Sequence, residues 1–297
     1  MRLVGRARDI VTPRSGGLPI ACAEDSFEAS LRPDRMIVTI EAKPVRPALS
    51  RLVGERGGGG LRQVLDEVMP EERRNATPLY LVLDDISGAS LVAGWAWSQW
   101  DPNWLANARA VMKDFDLEKA FRSREGVCIG FAPGSSAFDP GRDRSGTPAP
   151  DLRHPDDPEG WHAFTIQNDV GMRRARRIDV WLDKAIVIDT AFQDSATTPA
   201  GGRAVVHEYR VRVTADPESF RVLSIEAEPR VLPHAECPSA AANLSRLLDS
   251  PLPVLREKVL AELRGTAGCT HLNDALRALA DVPVLVNHLR NVGTVNL

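Results

Sequence analysis

The amino-acid sequence predicts an α+β protein made of two tandem pseudo-twofold repeats, each an antiparallel β-meander followed by helices. Three observations predict it. Two segments carry the same residue pattern in the same order. In each, stretches with period-two alternation precede stretches with helical spacing. Turn-forming residues break the alternating stretches at short intervals, as hairpins require.

The first segment runs Met36-Ile-Val-Thr-Ile-Glu-Ala-Lys-Pro44, then Leu49-Ser-Arg-Leu52, Leu61-Arg62 and Leu83-Asp-Asp85. The second runs Arg221-Val-Leu-Ser-Ile-Glu-Ala-Glu-Pro229, then Leu244-Ser-Arg-Leu247, Leu255-Arg256 and Leu272-Asn-Asp274. Upstream, Ala7-Arg-Asp-Ile-Val-Thr-Pro13 faces Phe192-Gln-Asp-Ser-Ala-Thr-Thr-Pro199. Five matches in one order imply two copies of one unit. The expected division is a first, degenerate repeat over 1–110, a connecting segment, partly loop, over 111–160, and a second repeat over 161–297. The second copy has Arg173-Arg-Ala-Arg-Arg-Ile-Asp-Val-Trp181 ahead of its first hairpin. The first copy has no room for a counterpart after Met1, so it lacks a strand or starts further upstream.

Along the second copy, Val205, His207, Tyr209, Val211 and Val213 share one strand face, and Glu208, Arg210, Arg212 and Thr214 share the other. Ile178, Val180 and Leu182 alternate with Arg177, Asp179 and Trp181 in the same way. Gly201-Gly202 and Asp216-Pro217 mark the turns. Helical spacing appears in Leu61, Val64, Leu65 and Val68, again in Leu252, Leu255 and Val259, and in Leu272, Ala275, Leu276 and Leu279, a stripe that ends before Pro283. Ala132–Ser136 and Asp139–Asp151 read as turn and linker, or as a cover over a site.

Composition narrows the function. The chain has 297 residues, 43% hydrophobic and 26% charged, with net charge −3. That balance gives no general pull towards nucleic acid or anionic membrane. No apolar run approaches the roughly 20 residues that would span a bilayer, and the start carries no apolar signal core. The expectation is a cytoplasmic protein with a small-molecule substrate, no nucleic-acid or membrane partner, and a homo-oligomer left open. Four cysteines, Cys22, Cys128, Cys237 and Cys269, form no Cys-x-x-Cys pair, so reduced thiols are expected.

The richest stretch is Gly265-Thr-Ala-Gly-Cys-Thr-His-Leu-Asn-Asp274. Thr270 is placed to cap a helix, and Cys269 just outside it would have its thiol pKa lowered by the macrodipole. His271 falls in the first turn, with Asp274 three residues on to orient it. The glycines would free backbone N–H groups for an anion or oxyanion. The plainer reading is a capped helix with a packed Cys. His234, Cys237, Cys269 and His271 together offer a zinc-type donor set without a familiar spacing. His207, facing inward, is a hydrogen-bonded core residue or a general base. The run Arg173 to Arg177 splits across its strand, Arg173 and Arg177 with Asp179 on one side and Arg174 and Arg176 on the other. It is a solvated or ion-paired face, or a fork for an anionic substrate. Trp95, Trp97, Trp100 and Trp104 read first as core or as a contact between copies, and otherwise as an aromatic pocket wall. Gly57–Gly60 lacks the Gly-Lys-Ser/Thr of a P-loop and reads as a turn into a helix.

His207-Glu-Tyr209, Val231-Leu-Pro-His-Ala-Glu-Cys-Pro238 and Gly265–Asp274 resemble the bacterial domain of unknown function family 2889. Asp157-Pro-Glu-Gly-Trp-His162 and Arg173–Trp181 resemble its long members. The resemblance covers roughly residues 157 to 285 and is looser over the first copy. It puts Cys237, Cys269 and His271 on family motif positions and implies a setting in bacterial catabolism of aromatic or acyl compounds. The first copy has Leu79-Tyr-Leu-Val-Leu-Asp-Asp85 in place of the Cys-Thr-His entrance, so twin sites are not expected.

The resulting expectation is a cofactor-independent enzyme, lyase ahead of hydrolase, acting on a small anionic aromatic or acyl compound at the seam between copies. Cys269, His271, Asp274 and His207 are its catalytic candidates, and Arg174, Arg177, Trp181 and Tyr209 its substrate-binding candidates. The competing readings are a non-catalytic ligand-binding or assembly protein with structural Cys and His, and a zinc enzyme using Cys237, Cys269 and His271.

Overall fold

The computed structural model describes residues 1–13, 18–111, 117–139, 146–164 and 167–295. Of the stretch Asp139–Asp151 read as linker, residues 140–145 lie outside the described residues. The strands are β1 (Arg2–Val11), β2 (Ile20–Leu31), β3 (Ile37–Lys43), β4 (Thr147–Pro148), β5 (Met172–Leu182), β6 (Ile186–Thr197), β7 (Arg203–Ala215) and β8 (Val222–Val231). The helices are α1 (Leu61–Val68), α2 (Pro70–Arg74), α3 (Pro78–Asp84), α4 (Ile86–Trp100), α5 (Trp104–Val111), α6 (Leu117–Arg122), α7 (Leu255–Glu262), α8 (Thr270–Arg277) and α9 (Val282–Val295). The protein is thus α+β with two antiparallel sheets, as its alternation and turn spacing predict.

The chain falls into two compact units. Unit 1 comprises Met1–Leu91, Arg153–Ala163 and Asp281–Leu297, and unit 2 comprises Val92–Leu152 and Phe164–Ala280. The linear division at residues 110 and 160 does not follow these units, because the chain returns to unit 1 with α9. Among the described residues no single helix is long and apolar enough to cross a membrane.

Unit 1 carries the sheet β1-β2-β3. Phe27, Leu31, Ile37 and Ile40 on its inner face pack with Leu61 and Leu65 of α1 and Leu79 and Leu83 of α3. The predicted α1 stripe is therefore the buried one. Thr77 caps α3 by accepting from Tyr80 N–H at 3.3 Å, which satisfies one orphan donor of the helix start. Gly5 on β1 is obligatory in this packing, since a Cβ there would lie 2.1 Å from the Phe27 ring.

Unit 2 carries the order β4-β7-β6-β5, with β8 also on β7. The odd-numbered residues of β7 from Val205 to Val213 are all buried, as their alternation predicts. Asp216 closes the β7–β8 turn by accepting from Ser219 N–H at 2.7 Å. The tryptophans do not form a core. Trp95, Trp100 and Trp104 are half-buried and Trp97 is 54% exposed. Trp100 Nε1 instead donates to Thr197 O at 2.8 Å.

The two sheets share irregular features as well as regular ones. β1–β2 shifts register between Asp9 and Ile10, and β6–β7 shifts between Asp194 and Ser195. β2–β3 shifts between Ser30 and Leu31, and β7–β8 between Thr214 and Ala215. Arg35 and Phe220, just before β3 and β8, both have positive φ, as do Gly54 and Asp249 further on. Gly54 N–H donates to Ile37 O, and Asp249 N–H to Val222 O, each at 2.9 Å. Bulges and left-handed residues are specific local solutions, and both sheets contain them.

Candidate functional site

One rung of the unit 2 sheet supplies the site. Arg174 on β5 pairs in register with Asp194 on β6, and Asp194 with His207 on β7. Directly paired residues share a face, so a cation, an anion and an imidazole line up across three strands. The bulge beside Asp194 lies at this rung, where such kinks re-aim side chains. α8 covers the rung and brings His271, whose ring stacks on His207 with centroids 3.4 Å apart and planes 17° apart.

Asp194 is fully buried. Arg174 grips it with Nε–Oδ1 and Nη2–Oδ2 bonds of 2.9 Å each. Burial pushes the carboxyl up, but the Arg174 guanidinium outweighs it, with help from His207 and His271, and holds it well below the ordinary carboxylate range. Asp194 is therefore an anion at neutral pH. His207 Nδ1 lies 3.4 Å from Asp194 Oδ2, and His271 Nε2 lies 3.7 Å from the same oxygen. Both nitrogens are buried and make no hydrogen bond. Burial is the main cause pulling both histidines below their ordinary pKa, and Asp194 only partly opposes it. For His271, neighbouring His207 adds to the lowering. Both imidazoles are thus neutral at neutral pH.

The structure corrects several expected roles. Cys269, not Thr270, is the N-cap of α8. The N–H groups of His271 and Leu272 do favour its thiolate, as does Tyr209, but burial outweighs them and raises the thiol pKa. At 1% exposure Cys269 is sealed, so an activated nucleophile is not what this helix start builds. Gly268 N–H is spent on Gly265 O at 3.1 Å, and a Cβ at Gly268 would lie 2.2 Å from Leu263 O. The glycine serves close backbone packing rather than an oxyanion. Asp274 does not orient His271. It accepts from Arg174 Nη1 at 2.7 Å, while His271 Nδ1 meets Thr270 Oγ1 at 3.3 Å.

The Arg174 side chain is 4% exposed and committed to two carboxylates, so it does not await a substrate anion. Arg177 pairs with Asp179 at 2.6 Å and donates to Leu152 O. Arg177 and Trp181 occupy the face of β5 opposite Arg174, and Trp181 lies about 23 Å along the strand from it at ~3.3 Å per residue. Tyr209 shares the His207 face, where burial and the Cys269 thiol beside it push its phenol far up. The sheet and helix meet through His207 with His271, Arg174 and Arg176 with Asp274, and Tyr209 beside Cys269.

The expected thiol donor set is not assembled. Cys237 is 3% exposed and its thiol is pushed up to about 12, chiefly by burial. His234 packs edge-on against Phe131. All four cysteines are free thiols. Within unit 2 the donors that converge are instead Asp194, His207 and His271, whose ligand atoms lie within 4.8 Å of one another. Two imidazoles on one zinc-like ion, with bonds of ~2.1 Å, would hold their ring centres roughly 5 Å apart. At 3.4 Å the stacked rings send their lone pairs side by side rather than to one point. The donor types suit an ion, and this ring arrangement does not.

Residues 172–285 match the family model described as "Protein of unknown function (DUF2889)". Over this stretch, less than half of the chain, the protein is similar to that family. The stretch runs from β5 into the first turn of α9 and contains Arg174, Asp194, His207, Cys269, His271 and Asp274. Comparison with curated proteins and with solved structures found no match. Asp194, the anion on which this cluster is organised, is the member that the sequence pattern does not single out. Its only signal is the shared Asp of the Ala7–Pro13 and Phe192–Pro199 segments.

Proposed function

We propose that the DUF2889 region is the catalytic part of a cofactor-independent enzyme that moves protons on a small aromatic or acyl compound, with lyase-type chemistry ahead of hydrolysis. The observation that carries this reading is the stacked pair of neutral, buried imidazoles against an ionised carboxylate. A neutral imidazole is a base at physiological pH. When His207 takes a proton, Asp194 stabilises the imidazolium, and the stacked His271 offers a second proton position. Arg174 keeps Asp194 ionised throughout and acts as a positioning residue. With the Cys269 thiol sealed and protonated, a covalent thiol route has no nucleophile, which favours proton transfer. The setting we assign is bacterial catabolism, in the cytoplasm. We also read the bulges and left-handed residues of the two sheets as a duplication of one ancestral sheet.

The test uses the full-length protein with a panel of small aromatic and acyl carbon acids in deuterium oxide, followed by NMR. Wild type is expected to exchange substrate protons for deuterium with at least one class. His207→Gln and His271→Gln should each slow that exchange about 100-fold or more. In parallel, His207 and His271 should titrate below the ordinary histidine range. Exchange that survives the double substitution, or histidines that titrate at ordinary values, would overturn the reading.

A further inference from the structure

The unit 1 sheet holds a half-buried aspartate, its side chain 17% exposed, at a bulge like that of Asp194. Asp9 sits on β1 immediately before the bulge, as Asp194 does on β6. Across the strand pair it faces Ala23, where Asp194 faces His207. A helix histidine again approaches the carboxylate. His288 of α9 places Nε2 3.6 Å from Asp9 Oδ2, against 3.7 Å for His271 and Asp194. His288 Nε2, too, is buried and without a hydrogen bond.

The guanidinium is missing. Among the described residues β1 pairs with β2 alone, and β2 brings no counterpart of Arg174 to Asp9. Arg8, next along β1, donates to the carbonyls of Glu159 and Trp161. Arg46 is held by Asp25 and Glu72. The groups facing Asp9 are Asp25 and Cys22 from β2, Asp281 just before α9, and His288 within it. Apart from His288, every titratable neighbour is neutral or anionic. Burial is the main cause that raises the Asp9 carboxyl, to about 7, and Asp281 and Asp25 add to it.

α9 lands on this spot. Val282 and Val286 are fully buried, and Asp281 and His288 lie on either side of them in sequence. Ionising Asp9 therefore sets a third carboxylate beside Asp25 and Asp281 under the docked helix.

We propose that Asp9 and His288 form a proton-dependent clasp that holds α9 on β1 while Asp9 keeps its proton and loosens it when the proton leaves. The clasp is a regulatory device of unit 1 and is independent of the DUF2889 site reading. Its sign follows from linkage. The docked state binds a proton that the undocked state has already released, so docking weakens as pH rises through the docked-state value and then levels off.

The test is hydrogen–deuterium exchange of the full-length protein, with α9 amides corrected for intrinsic exchange and β6 amides as the control. The opening constant of α9 should rise about tenfold per pH unit between pH ~5 and ~7 and level off above that. Asp9→Asn should abolish the slope. Asp281→Asn, which leaves Asp9 in place, should move the plateau to lower pH. His288→Gln should leave the slope intact, because the proton belongs to Asp9. A flat wild-type profile, a slope that persists in Asp9→Asn, or one that vanishes in His288→Gln overturns the proposal.

Discussion

Asp9 and Asp194 each sit just before a register shift in their sheet, yet their carboxyls are pushed in opposite directions. Asp194 is the more deeply buried, and burial alone should make it the stronger proton holder. It stays ionised because β5 adds Arg174 with two 2.9 Å bonds. Asp9 has no such strand beside it, and its neighbours Asp281 and Asp25 repel the charge. One additional strand thus converts a proton-holding carboxyl into a permanent anion. Burial keeps two histidines of unit 2 neutral beside that fixed negative charge, although the charge itself favours their protonated forms. The same difference gives the two aspartates opposite pH signatures. Asp194, with a depressed pKa, contributes stability above the ordinary carboxylate range that is lost as pH falls towards its folded value. Asp9, with a raised pKa, contributes stability at acid pH that is lost as pH rises from about 4 to about 7.

The largest expected effect comes from removing the strand's contribution. Arg174→Met leaves Asp194 and Asp274 buried without their shared cation. Stripping one partner from a buried pair costs about 3–5 kcal/mol. Chemical denaturation at pH 7 should show that loss, and the loss should shrink on acidification as Asp194 takes up a proton. A variant that keeps wild-type stability at pH 7 would mean Arg174 does not set the charge of Asp194. The converse substitution in unit 1, Asp9→Asn, should stabilise by roughly 1–3 kcal/mol at pH 8 and by nothing near pH 4. Destabilisation at pH 8 would break the comparison, since it would make Asp9 a paired anion like Asp194.

The sequence shows half of this contrast. Alternation is visible in β5 and β7, because each presents a distinct polar and apolar set. β6 hides, because it is central and buried on both faces, and its buried residues include Asp189, Thr190, Gln193, Asp194, Ser195 and Thr197. A strand whose polar residues are satisfied by its neighbours loses the hydrophobic period that betrays strands. Asp194 vanishes with it. α9 is missed for a different reason. Pro283 reads as a stop, whereas it is the second residue of a new helix, a position where its missing N–H is harmless. His288 and the Asp9 contact go unseen as a result. His207 and His271 are legible as chemistry-bearing residues, but their stacking is not, because it depends on how α8 crosses the sheet. Cys269 is misjudged because its position at a helix start is readable and its depth is not.

Cys269 therefore gives the smallest effect and the sharpest discrimination between a nucleophile and a packed side chain. Cys269→Ala removes a buried sulfur beside Tyr209 and should cost about 1–2 kcal/mol. If the site works by proton transfer between imidazoles, deuterium exchange into substrate should persist within about threefold of wild type. A thiol nucleophile would instead lose activity by orders of magnitude. Cys269→Ser adds a control, because the hydroxyl keeps a donor near Tyr209 and restores volume. It should recover stability relative to Ala without changing the exchange rate. A histidine titration that shifts in Cys269→Ala and returns in Cys269→Ser would show that the Tyr209–Cys269 contact sets how α8 seats His271 on His207. The cysteine would then be a positioning residue, tied to the chemistry through the helix it starts.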